Sequence, residues 1–268
     1  MAREYSTDGD GIGTNNDFYF EVAKGDVRGH SVVHKFGASD DVGTGWTVIS
    51  SSKTYQTPTT AAALEIVSDD NTNDIITGTG ARKVIVQGLG ADWLPLEEEI
   101  TLTGTTVAPL VNSYLRVFRM WVSESGAYAT TAGASHDSTI TLQGASAGVV
   151  WGVIAAEAGF GYGQSLIGAY TVPIGKTAYL THLHATVESN KTATLAFFKR
   201  ALADDVTAGY TGTMRVQQLY RGIQDNVEDE FRVPLNGFVG PCDIGFFGKF
   251  GTGTGDIAVD FEILLVST

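Results

Sequence analysis

Two pairs of histidines have spacings that could hold a metal ion, and the sequence around each pair favours a strand. His30 and His34 stand four residues apart, but Ser31-Val32-Val33 between them is typical of a strand, where such positions lie about 13 Å apart. His182 and His184 stand two residues apart and would share one face of a strand. A zinc site needs a third and usually a fourth ligand, for which the sequence offers only scattered carboxylates and His136. We expect a solvated strand face at His182 and His184, with a subunit-interface or metal role as the alternative.

Two acidic segments could bind calcium, which favours loops rich in oxygen ligands. Asp8 and Asp10 lack the third carboxylate and the closing glutamate of an EF-hand loop. The second segment is Asp69-Asp70-Asn71-Thr72-Asn73-Asp74, and Gly80 stands where its closing glutamate would lie. We expect solvated loops at both places, with structural calcium at residues 69–74 as the alternative.

Sequence patterns for nucleotide binding are incomplete, and the single cysteine stands in an apolar segment. Gly175-Lys176 and Gly248-Lys249 lack the glycine that a phosphate-binding loop carries five positions before its own Gly-Lys pair. Cys242 precedes alternating apolar residues, so we expect a small buried side chain there. Paired carboxylates for glycoside hydrolysis stay open as an alternative, because their separation is not visible in a sequence. We also expect no nucleophile elbow, on the interpretation that the sequence lacks a Gly-x-Ser-x-Gly pattern. We expect a protein that is not an enzyme, with no catalytic, cofactor or metal site.

The composition limits the kinds of partner. The chain has 268 residues, with 17 Lys+Arg against 30 Asp+Glu, which gives a formal charge of −13. Such an excess of acid disfavours binding to the phosphate backbone of DNA. Hydrophobic residues make up 43% and charged residues 18%, which is typical of a folded chain. One cysteine excludes an intrachain disulfide, and no apolar stretch approaches the roughly 18 residues of a membrane helix. We expect synthesis in a reducing cytoplasm and no contact with nucleic acid or membrane.

The elements that must position these residues are short strands joined by glycine-rich turns. The clearest is the last one, where Ile257, Val259 and Phe261 alternate with Ala258 and Asp260, so that one face is wholly apolar. Glu188-Ser189-Asn190-Lys191 separates two further runs and predicts a hairpin between them. Glu97-Glu98-Glu99 is expected at a turn. The other predicted strands cover residues 18–22, 46–50, 64–67, 82–87, 100–103, 114–122, 138–143, 149–155, 179–187 and 193–197.

Many short strands at close spacing predict an all-β fold. The glycines Gly159, Gly161 and Gly163 interrupt the pattern and suggest a domain boundary. We therefore predict an extended N-terminal arm over residues 1–30 and two β-sandwich (jelly-roll-like) domains over residues 31–160 and 161–268.

A series of short motifs resembles a group of virion structural proteins of tailed bacteriophages. The likeness covers about two thirds of the chain, and the order of the motifs is more specific than any one of them. The chain departs from the group's pattern at Ala38-Ser39 and after Gly45. The motifs are His34-Lys35-Phe36-Gly37, Asp41-Val42-Gly43-Thr44-Gly45-Trp46, Leu64-Glu65-Ile66-Val67-Ser68, Thr77-Gly78-Thr79-Gly80-Ala81-Arg82, Gln87-Gly88-Leu89, Thr101-Leu102-Thr103-Gly104-Thr105, Tyr114-Leu115-Arg116-Val117-Phe118-Arg119 and Tyr170-Thr171-Val172-Pro173-Ile174-Gly175-Lys176-Thr177.

The resemblance implies a non-enzymatic component of a virus particle. The acidic composition and the lack of a long repetitive shaft favour a capsid cement (decoration) protein. Such a protein would bind the major capsid protein on the outside of the shell and assemble with itself, most simply as a homotrimer. The alternative is a tail, neck or fibre-base component that binds host glycans through aromatic side chains, with Trp46, Trp93, Trp121 and Trp151 as candidates.

Overall fold

In a computed structural model the chain is almost entirely β-structure, as predicted. The structure describes residues 18–126, 135–146, 148–156, 162–204, 214–231 and 237–268. Within these ranges there is one helix, α1 (Phe18–Lys24), and all strand pairs are antiparallel. The strands are β1 (His30–Val42), β2 (Thr47–Val48), β3 (Ala62–Ser68), β4 (Ala81–Leu89), β5 (Pro95–Thr101), β6 (Ala108–Tyr114), β7 (Arg116–Ser125), β8 (Ile140–Gly144), β9 (Val150–Ile154), β10 (Ala169–Val172), β11 (Lys176–Val187), β12 (Ala193–Ala201), β13 (Arg215–Ile223), β14 (Asn226–Glu230), β15 (Phe238–Val239), β16 (Cys242–Phe250) and β17 (Gly255–Ser267).

Two five-stranded sheets enclose one core and form a unit that we call the larger sandwich. One sheet has the order β1-β17-β11-β14, with β15 paired to β11, and the other has the order β10-β16-β12-β13, with β2 paired to β16. Phe246 lies at the centre of the core, with its ring centroid 4.9 Å from that of Phe197 and 5.3 Å from that of Phe261. The predicted alternation of β17 is confirmed, because Phe261 is fully buried and its neighbours Asp260 and Glu262 are not. Burying each such ring contributes roughly 1.5–3 kcal/mol.

The remaining two sheets enclose a second core and form the smaller sandwich. Their orders are β6-β3-β8-β9 and β5-β4-β7. Ile66, Val84, Val86 and Leu142 are fully buried between them. On β4, the buried Val84 and Val86 alternate with more exposed residues, as a strand with one buried face requires.

The two sandwiches share residues from different parts of the chain. β1 pairs with β17, and Val48 of β2 pairs with Phe247 of β16. Phe118 of β7 is buried in the larger core, where its ring centroid lies 4.8 Å from that of Tyr170. Residues 30–48 thus lie in sheets built mainly by residues 169–267. The predicted division of the chain at residues 30 and 160 stays a prediction.

The first described residues form a helix and not the predicted strand. The strand predicted over residues 18–22 is wrong, because these residues form the first part of α1. Phe18 and Val22 stand four residues apart, which places both on one helix face, and Val22 is buried. Lys24 Nζ also lies 3.1 Å from Glu21 Oε2. The rest of the predicted arm, residues 1–17, lies outside the described residues.

Two other local predictions need correction. Glu97-Glu98-Glu99 lies inside β5 and forms no turn, and Glu98 holds the neighbouring strand β6 by accepting hydrogen bonds from the N–H groups of Val111 (2.6 Å) and Asn112 (3.0 Å). The predicted strand over residues 114–122 is divided at Leu115 between β6 and β7. The exposed side chains alternate along β5, so its outward glutamates are compatible with an edge strand.

The hairpin predicted across residues 188–191 is also wrong. β11 pairs with β14, β15 and β17, whereas β12 pairs with β13 and β16. The turn therefore connects two facing sheets, a topology that sequence alternation cannot distinguish from a hairpin because both strands bury one face in the same core. Lys191 Nζ closes the turn at 2.7 Å from Glu188 Oε2.

Candidate functional site

The outer face of the β1-β17-β11-β14 sheet carries imidazole and carboxylate side chains in alternation. Each strand contributes residues from positions that point away from the core. We call this surface the histidine–carboxylate face. Its residues are His34, His182, His184, Glu228, Glu230, Asp260 and Glu262.

The strand registers arrange these side chains in two rows across the sheet. In the first row, Glu262 of β17 pairs with His34 of β1 on one side and with His182 of β11 on the other, and His182 pairs in turn with Glu230 of β14. Directly opposed side chains on an antiparallel pair have Cβ atoms about 4.5–5.5 Å apart. Each imidazole of this row therefore has a carboxylate as its cross-strand neighbour.

The second row repeats the pattern one step along the strands. Asp260 pairs with Phe36 of β1 and with His184 of β11, and His184 pairs with Glu228 of β14. Diagonal contacts join the rows: His34 Nε2 lies 2.5 Å from Asp260 Oδ1, and His182 Nε2 lies 3.3 Å from Glu228 Oε1.

A β-bulge in β11 is needed to place the two histidines outward. The register shifts between Leu180 and His182, so the buried side chains change from even to odd positions. Leu180 and Leu183 are both fully buried. Tyr179 is only partly buried and lies on the outer face with the histidines, whereas strict alternation would place it on the same face as Leu183. His182 and His184 do share one face of a strand, as expected.

A groove of about 510 Å³ opens beside the first row. It combines aromatic rings from α1 and the end of β14 with acidic side chains of the sheet. Tyr19 is 45% exposed here. The lining residues are Tyr19, Thr181, His182, Glu230, Phe231 and Glu262.

The charge of the histidine–carboxylate face is strongly negative at neutral pH. Its seven residues include four carboxylates and no lysine or arginine, which gives a formal charge of −4 with histidine counted as neutral. Across the described ranges, no three His, Cys, Asp or Glu side chains are arranged to hold a metal ion. The arrangement is suited to attracting cationic groups of another molecule.

The acidic loop at residues 69–74 is organised by hydrogen bonds. Asp74 is fully buried. Its Oδ1 accepts hydrogen bonds from the N–H groups of Ala81 (2.9 Å) and Asp137 (3.0 Å), and its Oδ2 accepts from Ser68 Oγ (2.7 Å) and the Ser138 N–H (3.0 Å). Four donors occupy the lone pairs that calcium would need, so the structure gives the calcium alternative no support at Asp74.

Asp70 has a local role in the same loop. Its Oδ1 accepts hydrogen bonds from the N–H groups of Asn73 and Thr72, the latter at 2.7 Å. These backbone donors, that of Asn73 foremost, lower the pKa of Asp70. Gly80 leaves room for the buried carboxylate, since a Cβ there would lie 2.3 Å from Asp74 Oδ1.

The structure also shows where most of the other residues considered in the sequence lie. His30 and His34 both lie on β1, as their strand-like sequence predicted, and His30 Nδ1 lies 3.0 Å from the Arg28 carbonyl oxygen. Cys242 is buried in β16, and burial raises the pKa of its thiol to about 12. Gly175 precedes β11 in a positive-φ turn conformation. Asp8 and Asp10 lie outside the described residues.

Two serines resemble catalytic nucleophiles, and neither has a suitable setting. The expectation that no Gly-x-Ser-x-Gly pattern occurs is wrong, because Gly144-Ala145-Ser146-Ala147-Gly148 has it. It connects β8 to β9, whereas a nucleophile elbow joins a strand to a helix. Ser135 Oγ lies 2.9 Å from His136 Nδ1, but both side chains are buried, and His136 Nε2 is engaged by the Ala155 carbonyl oxygen at 2.9 Å.

The tryptophans considered for glycan binding have different environments. Trp151 is buried, and the guanidinium of Arg116 lies 4.9 Å from the ring centroid of Trp93. Trp46 is 47% exposed, with Lys249 Nζ 4.9 Å from its ring centroid. Arg119 lies 5.3 Å from the ring centroid of Trp121. Basic side chains thus lie beside three of the four rings.

One buried polar cluster could not be anticipated from the sequence. Asp243 is fully buried, and its carboxylate accepts three hydrogen bonds. The donors are Arg116 Nε at 2.8 Å, Arg200 Nη2 at 2.6 Å and Thr171 Oγ1 at 2.6 Å. Its partners come from β7, β12 and β10, so only the three-dimensional fold brings them together. The cluster is enclosed and therefore stabilises the fold without offering a binding site.

Comparisons with known proteins add little to this description. No protein-family model matches the chain, and no curated protein matches it. A structure of infectious bursal disease virus strain Gx is 11% identical, with coverage of 89% of this chain and 75% of that chain and a TM-score of 0.20. The VP2 subviral particle of the same virus is 10% identical, with coverage of 89% and 77% and a TM-score of 0.19. Its T=1 particles give 10% identity, coverage of 90% and 74% and a TM-score of 0.15. Likeness at these TM-scores carries no argument about the fold or the function of this chain.

Proposed function

We propose that the chain is a non-enzymatic structural protein of a tailed-bacteriophage virion. Its most specific role is that of a capsid cement protein, made in the host cytoplasm and bound to the outer surface of the major capsid shell. The ordered motifs between His34 and Trp121 and those from Tyr170 to Thr177 support the phage assignment, since they resemble a group of such virion proteins.

The histidine–carboxylate face is the observation that carries the cement role. It extends across four strands of one sheet and exposes polar and acidic side chains, with His34 55%, Asp260 43% and Glu228 68% exposed. Enzyme sites are usually concave pockets with a few convergent polar groups. An open charged sheet surface fits adhesion to another protein better than it fits catalysis.

The overall charge supports a position outside the shell. The formal charge of −13 would oppose close contact with packaged DNA. No helix among the described residues is long and apolar enough to cross a membrane. Many weak contacts made by repeated copies could reinforce a shell without any single strong site.

The sheet edges support self-association, for which a homotrimer is the simplest expectation and a homodimer the second. Within the described residues β13 pairs only with β12. Val216 and Leu219 of this edge strand are 57% and 39% exposed. Exposed apolar edges are commonly covered by another subunit. Light scattering on the isolated protein should therefore report an oligomer, and a stable monomer at high concentration would contradict this part of the proposal.

The alternative is a tail, neck or fibre-base component that binds host glycans. Its support is the half-exposed ring of Trp46, because sugars stack on accessible aromatic faces. The number of copies in purified particles separates the two roles. A quantitative gel should show hundreds of copies per particle for a cement protein, whereas a few to some dozens would favour the tail alternative.

A further inference from the structure

We propose that the groove formed by Tyr19, Thr181, His182, Glu230, Phe231 and Glu262 binds an arginine side chain of a partner protein. This inference rests on the proposed function and deepens it, since the arginine would belong to a protein of the shell surface. The acidic and aromatic chemistry of the groove identifies the occupant as a guanidinium group.

The carboxylates of the groove provide the acceptors that a guanidinium group needs. Glu230 and Glu262 belong to strands on opposite sides of β11, and both pair with His182 in the sheet register. Both are exposed. A guanidinium presents several N–H donors in one plane and can bind carboxylate oxygens through two parallel hydrogen bonds. Two carboxylates on either side of one groove fit this donor arrangement better than they fit the compact charge of a lysine.

The aromatic rings provide the second half, and they are independent of the acidic cluster. Tyr19 from α1 and Phe231 after β14 line the same groove as the two glutamates. Guanidinium groups stack on aromatic faces, an interaction that strengthens when water is partly excluded. An acidic patch without rings would attract any cation, whereas rings beside carboxylates favour arginine.

The protein already uses this combination for one of its own arginines. The guanidinium of Arg116 lies 4.9 Å from the ring centroid of Trp93, and it donates hydrogen bonds to Asp243 from Nε at 2.8 Å and from Nη2 at 3.2 Å. The groove at Tyr19 presents the same pair of chemical groups at the surface.

The test uses the full-length protein and fluorescent penta-arginine and penta-lysine peptides, with binding measured by fluorescence anisotropy at low salt. At pH 7.5 the arginine peptide should bind more tightly than the lysine peptide. The double variant Glu230→Gln/Glu262→Gln should weaken arginine binding at least tenfold. The matched control Glu97→Gln/Glu99→Gln removes the same charge from exposed positions of β5 and should change it less than twofold. Thermal melting would verify that both variants are folded.

Equal effects of the two double variants, or equal affinity for the two peptides, would overturn the proposal. If the variant Glu230→Gln/Glu262→Gln binds shells as well as the wild type does, the groove is not the arginine site and the cement role still holds. Peptide binding without any shell binding would reject the cement role and leave the groove standing.

Discussion

Arg116 and Asp243 stand 127 positions apart in the chain and form an ion pair in which both side chains are fully buried. Arg116 begins β7 of the smaller sandwich, and Asp243 lies in β16 of the larger one. Arg200 of β12 contributes a second guanidinium, with Nη2 2.6 Å from Asp243 Oδ2. The pair therefore links the two sandwiches through a single carboxylate.

Replacing Asp243 should strongly destabilise the protein. The substitution Asp243→Ala leaves two buried guanidiniums without their carboxylate, and breaking a buried pair in this way costs about 3–5 kcal/mol. The control is Asp260→Ala, which removes a carboxylate from an exposed pair with His34 and should cost less than about 0.5 kcal/mol. Urea unfolding would measure both changes, and equal losses would contradict the assigned role of Asp243.

The same carboxylate predicts a dependence of stability on pH. Burial alone would raise the pKa of Asp243, but the charges and hydrogen bonds of Arg116, with Arg200 and Thr171, hold it below its usual value. Its stabilising contribution is therefore present above the pKa of an unfolded aspartate, about 4, and is lost as the pH falls through the lower folded-state value. Asp243→Asn should flatten the acid limb of the stability profile.

Lys35 should also make stability rise with pH, but on the alkaline side, because it is buried with no carboxylate partner among the described residues. Its ammonium group donates a hydrogen bond to the carbonyl oxygen of Phe118. Burial, with repulsion from Arg119 as a smaller cause, lowers the pKa of Lys35 from 10.5 to about 7. Between these two values the unfolded chain binds more protons than the folded one, so stability should rise as the pH increases from about 7 to about 10.5.

The variant Lys35→Met tests this relationship. It removes the cost of burying a charge and should increase stability at pH 7 and below by up to a few kcal/mol. It should also flatten the rise of stability on the alkaline side of pH 7. A variant that is less stable than the wild type at pH 6, with an unchanged pH profile, would show that the ammonium group is well solvated in the folded protein.

Asp74 should stabilise its loop without calcium. The substitution Asp74→Ala leaves buried donors unpaired and should cost about 3 kcal/mol, whereas Asp70→Ala removes a turn contact and should cost about 1 kcal/mol. The melting temperature of the wild type should be the same with calcium and with a chelator. A clear increase in the melting temperature on adding calcium would restore the metal alternative for residues 69–74.

The sequence predicted the fold class well because the decisive signal was local. Alternation along residues 257–265 identified β17, its buried face and its outward carboxylates, including Asp260. The sequence also indicated that His182 and His184 share one strand face. The sequence could not predict that the outward residues of β17 and β11 lie side by side, because the pairing of these two strands is a long-range property of the fold.

Other features depended on interactions that a sequence pattern does not contain. The bulge near Thr181 changed the alternation of β11 and moved Tyr179 outward. The sequence at Phe18 favours a strand because short aromatic segments have high strand propensity, whereas the structure has a helix there. The buried ion pairs of Asp243 have no local sequence signal, since Arg116 and Arg200 are distant from it in the chain.

Co-sedimentation with capsid shells tests the proposed function most directly. Expanded shells stripped of this protein would be mixed with the full-length wild type, with Glu230→Gln/Glu262→Gln and with the control Glu97→Gln/Glu99→Gln. We predict that the wild type and the control bind and raise the melting temperature of the shells, while the groove variant binds at least tenfold more weakly. A wild-type protein that binds no shell but does bind tail or portal assemblies would contradict the cement role.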